Sequence, residues 1–188
     1  MAGPLFQLLE KRTGSPEGAL EAISDVAGAL GVGDARSTDE QLAGLALCRR
    51  GERPEVVARS LSWKDFEGFC SDILRAKGYT VRENIHLRKP RAQVDILGTS
   101  GRISLAVDCK HWARPPGRGT LSALVEAQKE RARRLHDSLD ELGGIAAVIL
   151  VVVDGGDRIV EGGAVVPIFA LPQFLDGVDH YLGLLELV

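Results

Sequence analysis

The fold is decided by two short stretches of sequence, Val94-Asp95-Ile96-Leu97-Gly98 and Ile103-Ser104-Leu105-Ala106-Val107-Asp108-Cys109-Lys110. Residues 99–102 link them with turn-forming residues, which predicts two strands joined as a hairpin. Side chains alternate between the two faces of a strand, so the second stretch should show one apolar face and turn its Asp and its Lys to the other. The hairpin would also bring Asp95 close to Asp108.

Two neighbouring carboxylates with a lysine beside them suit one kind of chemistry. Carboxylate oxygens are ligands for a hard divalent cation such as Mg²⁺, and a lysine can orient a water or stabilise charge on a phosphate. Together they favour metal-assisted hydrolysis of a phosphodiester bond. The alternative is an ordinary solvated strand face, because a single Asp-x-Lys triplet is a weak motif.

The composition is that of a globular protein. The chain has 188 residues, of which 45% are hydrophobic and 26% charged, which predicts one or two small domains. No apolar run is long enough for a membrane span, and the first residues lack the pattern of a signal peptide. Cys48, Cys70 and Cys109 have neither disulfide-frame nor zinc-site spacing, which indicates buried thiols in a reducing compartment. We therefore expect a cytoplasmic protein.

The net charge of −3 hides an uneven distribution. Residues 61–136 carry 15 basic and 8 acidic side chains, a net of +7, whereas residues 1–60 carry −2 and residues 137–188 carry −8. The positive charge thus surrounds the predicted carboxylate pair. This distribution favours a polyanion such as DNA as the partner, because cations hold the phosphate backbone while carboxylates hold a metal. Solvated charge on two helices is the alternative.

Residues 1–60 are predicted to form a separate helical domain, since apolar residues recur there at helical spacing between Gly- and Pro-containing breaks. Residues 23–32 have the spacing of a helix-turn-helix segment, which would contact DNA directly. A packing or partner-binding role for this domain is the other interpretation, because the region is net acidic.

Residues 61–188 are predicted to form a second domain that begins with a helix at Trp63, capped by Ser62 and Asp65. The continuously apolar run over 145–153 predicts a central parallel strand reached by a helical crossover. The expected order is that first helix, strands over 79–87, 94–98 and 103–110, a helix from 120 to about 142, strands over 145–153 and 164–171, and a terminal helix over 172–187.

The second domain resembles the PD-(D/E)xK nuclease superfamily, and within it Mrr-type restriction endonucleases and archaeal Holliday junction resolvases. The resemblance is carried by Leu61-Ser62-Trp63-Lys64-Asp65-Phe66-Glu67, by Gly78-Tyr79-Thr80-Val81 and by the two strand stretches over 94–98 and 103–110. It covers about residues 61–155. It implies an α/β fold with a restriction-endonuclease-like core, α-β-β-β-α-β, whose mixed sheet is flanked by helices and preceded by a small helical N-terminal region.

The resemblance also implies a role for each residue of the motif. Asp95 would be the principal ligand of a Mg²⁺ or Mn²⁺ ion, Asp108 the second ligand and Glu67 a further metal-associated carboxylate. Lys110 would be the catalytic lysine. Cys109 would lend its backbone carbonyl to the metal, with its side chain in the core.

Three positions depart from the pattern or match it loosely. Val94, preceded by Gln93, stands where the superfamily is named for a Pro, and Asp108 is one methylene shorter than the more usual Glu or Gln. Gln128 falls on the apolar stripe of the predicted crossover helix. It is either a satisfied core amide or a group aimed at the site, where some members carry a supporting Gln.

The sequence therefore predicts a metal-dependent DNA endonuclease, either of the restriction type or structure-specific. Trp112 is expected to stack on a base or to pack beneath its loop. Relatives often act as dimers, and residues 1–60 could bind a protein partner. The residues expected to contact the DNA backbone are Arg88, Lys89, Arg91, Arg114 and Arg118.

Two alternatives stay open at this point. The first is a catalytically silent nucleic-acid-binding or partner-docking module on the same fold, which would bind DNA without cutting it. The second is an interaction protein whose acidic C-terminal segment docks a basic partner. The +7 central segment argues against the second alternative.

Overall fold

The computed structural model describes residues 3–30, 40–88, 91–101, 103–112, 116–139, 143–151 and 158–188. By the contacts between their residues they form two units, Met1–Asp72 and Ile73–Val188. Helix α5 (Trp63–Ala76) contributes to both units. Its start at Trp63 is as predicted, and Ser62 caps it: the Asp65 backbone N–H donates to Ser62 Oγ at 3.2 Å.

The first unit is helical, as predicted. Besides α5 it contains α1 (Pro4–Thr13), α2 (Pro16–Leu30), α3 (Glu40–Arg49) and α4 (Pro54–Ser60). A proline opens three of these helices, where its missing N–H costs no intrahelical hydrogen bond. Residues 23–30 of the segment with helix-turn-helix spacing lie within α2, and Gly31 and Val32 lie outside the described residues.

The second unit is built on a six-stranded mixed sheet of order β1-β2-β3-β4-β6-β5. Strands β1, β2 and β3 form an antiparallel meander, β4 runs parallel to β3, and β6 runs parallel to β4. The meander and the parallel crossover are confirmed. The strands are β1 (Thr80–Leu87), β2 (Ala92–Ser100), β3 (Ile103–Lys110), β4 (Ile145–Val151), β5 (Arg158–Val160) and β6 (Gly163–Pro167).

Strand β3 lies in the middle of the sheet, and both of its faces are covered. Its bounds match the prediction, but the face that carries Asp108 is not solvated, because Ser104, Ala106 and Asp108 are all buried. The ordinary solvated strand face is therefore excluded. Gly98 on β2 packs closely against α5: a Cβ atom there would lie 2.6 Å from Leu74 Cδ2.

Helix α6 (Arg118–His136) covers the Asp108 face and crosses the sheet obliquely. Its first half shares a hydrophobic cluster with β4 and β6, and its second half shares one with β1, β2, β3 and the start of β4. The helix was predicted over 120–142 and is shorter at its C-terminal end. There the Ser138 hydroxyl and the 137–139 backbone bond to the last-turn carbonyls in tight turns, while residues 140–142 lie outside the described part of the chain.

The C-terminal prediction was wrong in three places. The strand predicted over 164–171 ends at Pro167, since the chain turns there into a short 3-10 helix, Ile168–Ala170. The terminal helix predicted over 172–187 is broken at Gly177 into α7 (Leu171–Asp176) and α8 (Val178–Tyr181). The short strand β5 was not predicted, because its three residues carry no alternating apolar pattern.

A cluster of charged side chains fastens the last residues of the chain to α6. Lys129 Nζ donates to Glu126 Oε1 at 2.9 Å and to the Glu161 carbonyl at 2.8 Å, and it lies 2.5 Å from Glu186 Oε2. Arg133 Nη2 bonds to the other Glu186 oxygen at 2.6 Å. These hydrogen bonds, from Lys129 first and then Arg133, hold the pKa of Glu186 below its ordinary value.

We expect Glu186→Gln to unfold at a lower temperature than the wild type at neutral pH. A depressed folded-state pKa contributes stability above the unfolded-state value of 4.5, and this contribution is lost as the pH falls through the folded-state value. The difference in melting temperature should therefore shrink below about pH 4.5. Thermal unfolding followed by circular dichroism between pH 7 and pH 3 measures it.

Glu130→Gln is the matched control, because Glu130 lies 3.6 Å from the same arginine and is largely exposed. It should change the melting temperature less than Glu186→Gln. A difference between Glu186→Gln and the wild type that stays constant over the whole pH range would contradict this account.

Candidate active site

Asp95 lies where strands β2 and β3 separate. Their paired register runs from Ser100↔Ile103 to Ile96↔Val107 and ends there. In place of a further backbone pair, the Cys109 backbone N–H donates a hydrogen bond to Asp95 Oδ2 at 2.9 Å. The side chain thus takes the place of a backbone acceptor.

Strand β1 is irregular beside the same position. Asn84 falls between the pairs Glu83↔Ile96 and Ile85↔Val94, next to Asp95, and has a φ of 52°. This left-handed conformation costs most residues about 1–2 kcal/mol, but Asn tolerates it. Its side chain accepts a hydrogen bond from Gln93 Nε2 at 3.1 Å. Nothing in the alternation of the sequence indicates this kink.

Both oxygens of Asp108 face a cation. Lys110 Nζ lies 2.8 Å from Oδ2, an ion-pair distance without the geometry of a hydrogen bond. Arg131 Nη1 donates to Oδ1 at 3.3 Å. Only 4% of Asp108 is exposed, so this carboxylate depends on its two cationic neighbours for compensation.

The guanidinium of Arg131 is also bound by Gln128, one turn earlier on α6. Arg131 Nη1 donates to Gln128 Oε1 at 2.8 Å. The Gln128 side chain is fully buried, and its Nε2 has no hydrogen-bond partner among the described residues. Gln128 is therefore inward-facing, as predicted, and it is connected to Asp108 through an arginine that the sequence prediction did not include. The signal in the sequence that indicates Arg131 is its three-residue spacing from Gln128, which puts both side chains on one face of the helix.

The pKa of Asp95 is raised. Burial is the main cause, and the negative charge of Asp108 adds to it, while the Cys109 N–H, Lys110 and Arg131 oppose the shift. A buried carboxylate beside a second one gains from any further cation. The donor set fits a hard divalent metal in chemical type, because Asp95 Oδ1 has no partner among the described residues and carboxylate oxygens suit such ions.

The metal site itself is less complete than the resemblance implies. Within the described residues, no group of three His, Cys, Asp or Glu side chains is arranged to hold an ion. Cys109 is buried, as expected for a side chain in the core. Glu67 lies on α5 within the first unit and is partly buried, and its role at the metal stays a prediction.

The residues predicted to contact DNA are dispersed. Arg88 and Arg91 are exposed at the β1–β2 turn, about 13 Å along β2 from Asp95 at strand rise. Arg118 opens α6, about 20 Å along the helix from Arg131, and lines a groove of about 500 Å³ together with Arg158. Lys89 and Arg114 lie outside the described residues.

Trp112 is partly buried and packs against the apolar cluster that contains Leu121, Val125, Ile149 and Val165. This packing is the alternative to base stacking that the sequence predicts for Trp112. A stacking role would require the ring to leave these contacts, and it stays a prediction.

The sheet order, the crossover helix and the Asp-x-Lys at the end of β3 are those of a restriction-endonuclease-like fold of the PD-(D/E)xK superfamily. Residues 58–136 match the family model of the Mrr catalytic domain, described as a restriction endonuclease. This part of the chain is thus similar to a family of the PD-(D/E)xK superfamily, and the predicted resemblance is confirmed. The matched range includes every predicted site residue and Arg131. Members of the superfamily normally use divalent metals.

No curated protein and no solved structure matches the chain significantly. Among the described helices, none is both long and apolar enough to cross a bilayer.

We expect Asp95→Asn to raise the melting temperature of the metal-free protein at pH 7. The amide keeps an oxygen that can accept from the Cys109 N–H but removes a charge that burial disfavours. Asp95→Ala is the matched control and should lower stability, since an unsatisfied buried N–H costs about 1–3 kcal/mol. Differential scanning calorimetry of the three proteins in EDTA measures both effects. Equal destabilisation by Asn and Ala would show that the ionised carboxylate is not disfavoured.

Proposed function

We propose that the protein is a metal-dependent DNA endonuclease that hydrolyses phosphodiester bonds with Asp95, Asp108 and Lys110. The observation that carries the proposal is the meeting of a buried carboxylate, Asp108, a partly buried one, Asp95, and a lysine where β2 and β3 separate, inside a segment of nuclease type. Neither ordinary packing nor a surface ion pair accounts for two adjacent carboxylates at that depth, one with a raised pKa.

Asp95, Asp108 and the Cys109 carbonyl are the groups that would hold Mg²⁺ or Mn²⁺, with Glu67 as a further ligand. When bound, such an ion lowers the pKa of a water and stabilises charge on the phosphate. Asp95 is kept in place by the Cys109 N–H, so its second oxygen is available without a change in the strand. Gln128 supports the site through Arg131.

Lys110 is suited to act on the reacting phosphate or on the attacking water. Its ammonium lies 2.8 Å from Asp108 Oδ2, and its side chain keeps a quarter of its surface accessible. A lysine offers three donors on a flexible stem, so it can hold the carboxylate and one further oxygen at once. In this role it positions the nucleophile or neutralises the developing charge.

DNA is the proposed partner, because the central segment carries the excess of basic residues. Arg88 and Arg91, which are exposed at the β1–β2 turn, are the first candidates for backbone contact, with Lys89, Arg114, Arg118 and Trp112 as further candidates. Four further proposals rest on the sequence alone. They are a domain boundary between residues 60 and 61, homodimerisation, a protein partner for residues 1–60 and a cytoplasmic location.

One observation favours a second candidate, a DNA-binding module without catalysis. Both Asp108 oxygens already face cations of the chain itself, and a metal has to displace at least one of them. If neither Lys110 nor Arg131 releases Asp108, the site binds a phosphate group but no metal ion. The two candidates differ in one property, metal-dependent cutting.

Cleavage assays with purified protein decide between them. We expect cutting of DNA with Mg²⁺ or Mn²⁺, none in EDTA, and a loss of roughly 10²–10⁴-fold in Asp108→Asn and in Lys110→Ala. Methylated and unmethylated duplex, flap and four-way-junction substrates separate restriction-type from structure-specific cleavage.

The matched controls are Asp176→Asn and Lys77→Ala, which remove the same groups from an Asp–Lys ion pair elsewhere in the second unit. They should cut as the wild type does. DNA binding without any cutting by the wild-type protein would sink the catalytic proposal and leave the binding module.

The β1–β2 turn has a separate test. In the Asp108→Asn background, Arg88→Ala with Arg91→Ala should reduce the slope of log affinity against log salt by about one for each phosphate that the protein no longer binds. Fluorescence anisotropy with a labelled duplex measures that slope. Arg12→Ala with Arg53→Ala removes the same charge from the first unit and should leave the slope unchanged. The reverse result would move the DNA-binding surface to the first unit.

A further inference from the structure

Arg131 occupies an unusual position between a fixed amide and a buried carboxylate. A single nitrogen, Nη1, makes both of its contacts, at 2.8 Å to Gln128 Oε1 and 3.3 Å to Asp108 Oδ1. The other donors of the guanidinium, on Nε and Nη2, have no partner among the residues that the structure describes. Since 28% of the side chain is exposed, this second edge can be reached by a ligand.

Gln128 determines the direction of this edge. Its side chain is fully buried and belongs to the inward face of α6, so a change of rotamer would have to displace packed neighbours. Its amide orientation is set by its partner, because a flipped amide would turn its NH₂ toward a cation. Gln128 therefore holds Arg131 whether or not Asp108 does.

The charges of the site show what happens when a metal enters. Two carboxylates, Asp95 and Asp108, face two cations, Lys110 and Arg131, and the four groups balance. A divalent cation adds two positive charges, and to bind both carboxylates it needs, besides Asp95 Oδ1, an Asp108 oxygen that Lys110 or Arg131 now contacts. One of these ion pairs must therefore open.

The pair with Arg131 is the one that opens more readily. It is the longer of the two, 3.3 Å against 2.8 Å for Lys110, and Arg131 keeps its bond to Gln128 after it releases Asp108. Lys110 has no comparable second partner among the described residues. A guanidinium with a free edge beside the site matches the oxygens of a phosphodiester, which it can bind with two parallel hydrogen bonds.

We propose that Arg131 is an exchangeable cation: it neutralises Asp108 in the metal-free protein, yields that carboxylate to the metal, and then binds a backbone phosphate of DNA while Gln128 positions it. This inference rests on the proposed function. It assigns to one arginine the coupling between metal binding and DNA binding, so metal and DNA each strengthen the binding of the other.

The test compares Arg131→Ala, Arg131→Lys and Arg133→Ala in two binding measurements. Isothermal titration with Mn²⁺ in the absence of DNA gives the metal affinity, and anisotropy with a duplex in Ca²⁺ gives the DNA affinity. Arg133→Ala is the matched control, since it removes the same charge from the same helix but from a partner of Glu186.

We expect Arg131→Ala to bind Mn²⁺ several-fold more tightly than the wild type, since its competitor is gone, and DNA about tenfold more weakly. Arg131→Lys should retain most of the competition with metal but little of the DNA affinity, because it lacks the paired donors. A merely structural role would weaken both affinities together.

Joint weakening, or values equal to those of Arg133→Ala, would overturn the inference and leave the proposed nuclease intact. A wild-type protein that neither binds Mn²⁺ nor cuts DNA would overturn both. Opposite shifts in the two affinities of Arg131→Ala would support it.

Discussion

One hydrogen bond, from the Cys109 backbone N–H to Asp95, holds this carboxylate at the point where β2 and β3 separate, which is the proposed active site. Strand β2 remains paired with β1 beyond this point, and β3 remains paired with β4, so the sheet stays continuous on either side. Only the pair β2–β3 comes apart. Because the acceptor is a side chain, the separation leaves no unsatisfied backbone N–H at Cys109, and this hydrogen bond offsets part of the free energy that opening the sheet in its interior costs.

The cover that α6 provides creates the second constraint. A helix packed over the Asp108 face removes water from a carboxylate, and a buried charge must then be compensated by the protein. The helix supplies this compensation itself, with Arg131, and supports the arginine with Gln128 from the preceding turn. The oblique crossing of α6 explains why these two residues, and not those at its start, reach the site.

Much of this was predictable, because the determinants are local. The bounds of β3, the Ser62 cap and the apolar run of β4 follow from period, capping chemistry and length. The C-terminal segment was mispredicted because Gly177 and the turn after Pro167 interrupt an apolar pattern that a continuous helix would also show. Arg131 was missed for a different reason. Its three-residue spacing from Gln128 puts it beside the inward face of α6, but the sequence does not show that this part of the helix lies over Asp108.

The left-handed backbone of Asn84 has a consequence for comparing this chain with its relatives. A position that accepts only Asn, Asp or Gly varies little, whatever the protein does. Beside a site aspartate, such invariance looks like a further catalytic group in an alignment. The torsion angle gives another explanation, since it is the main chain of residue 84 that is under constraint, and its exposed amide side chain has its own partner in Gln93. Conservation at residue 84 would therefore record the shape of a strand and not a step of the reaction.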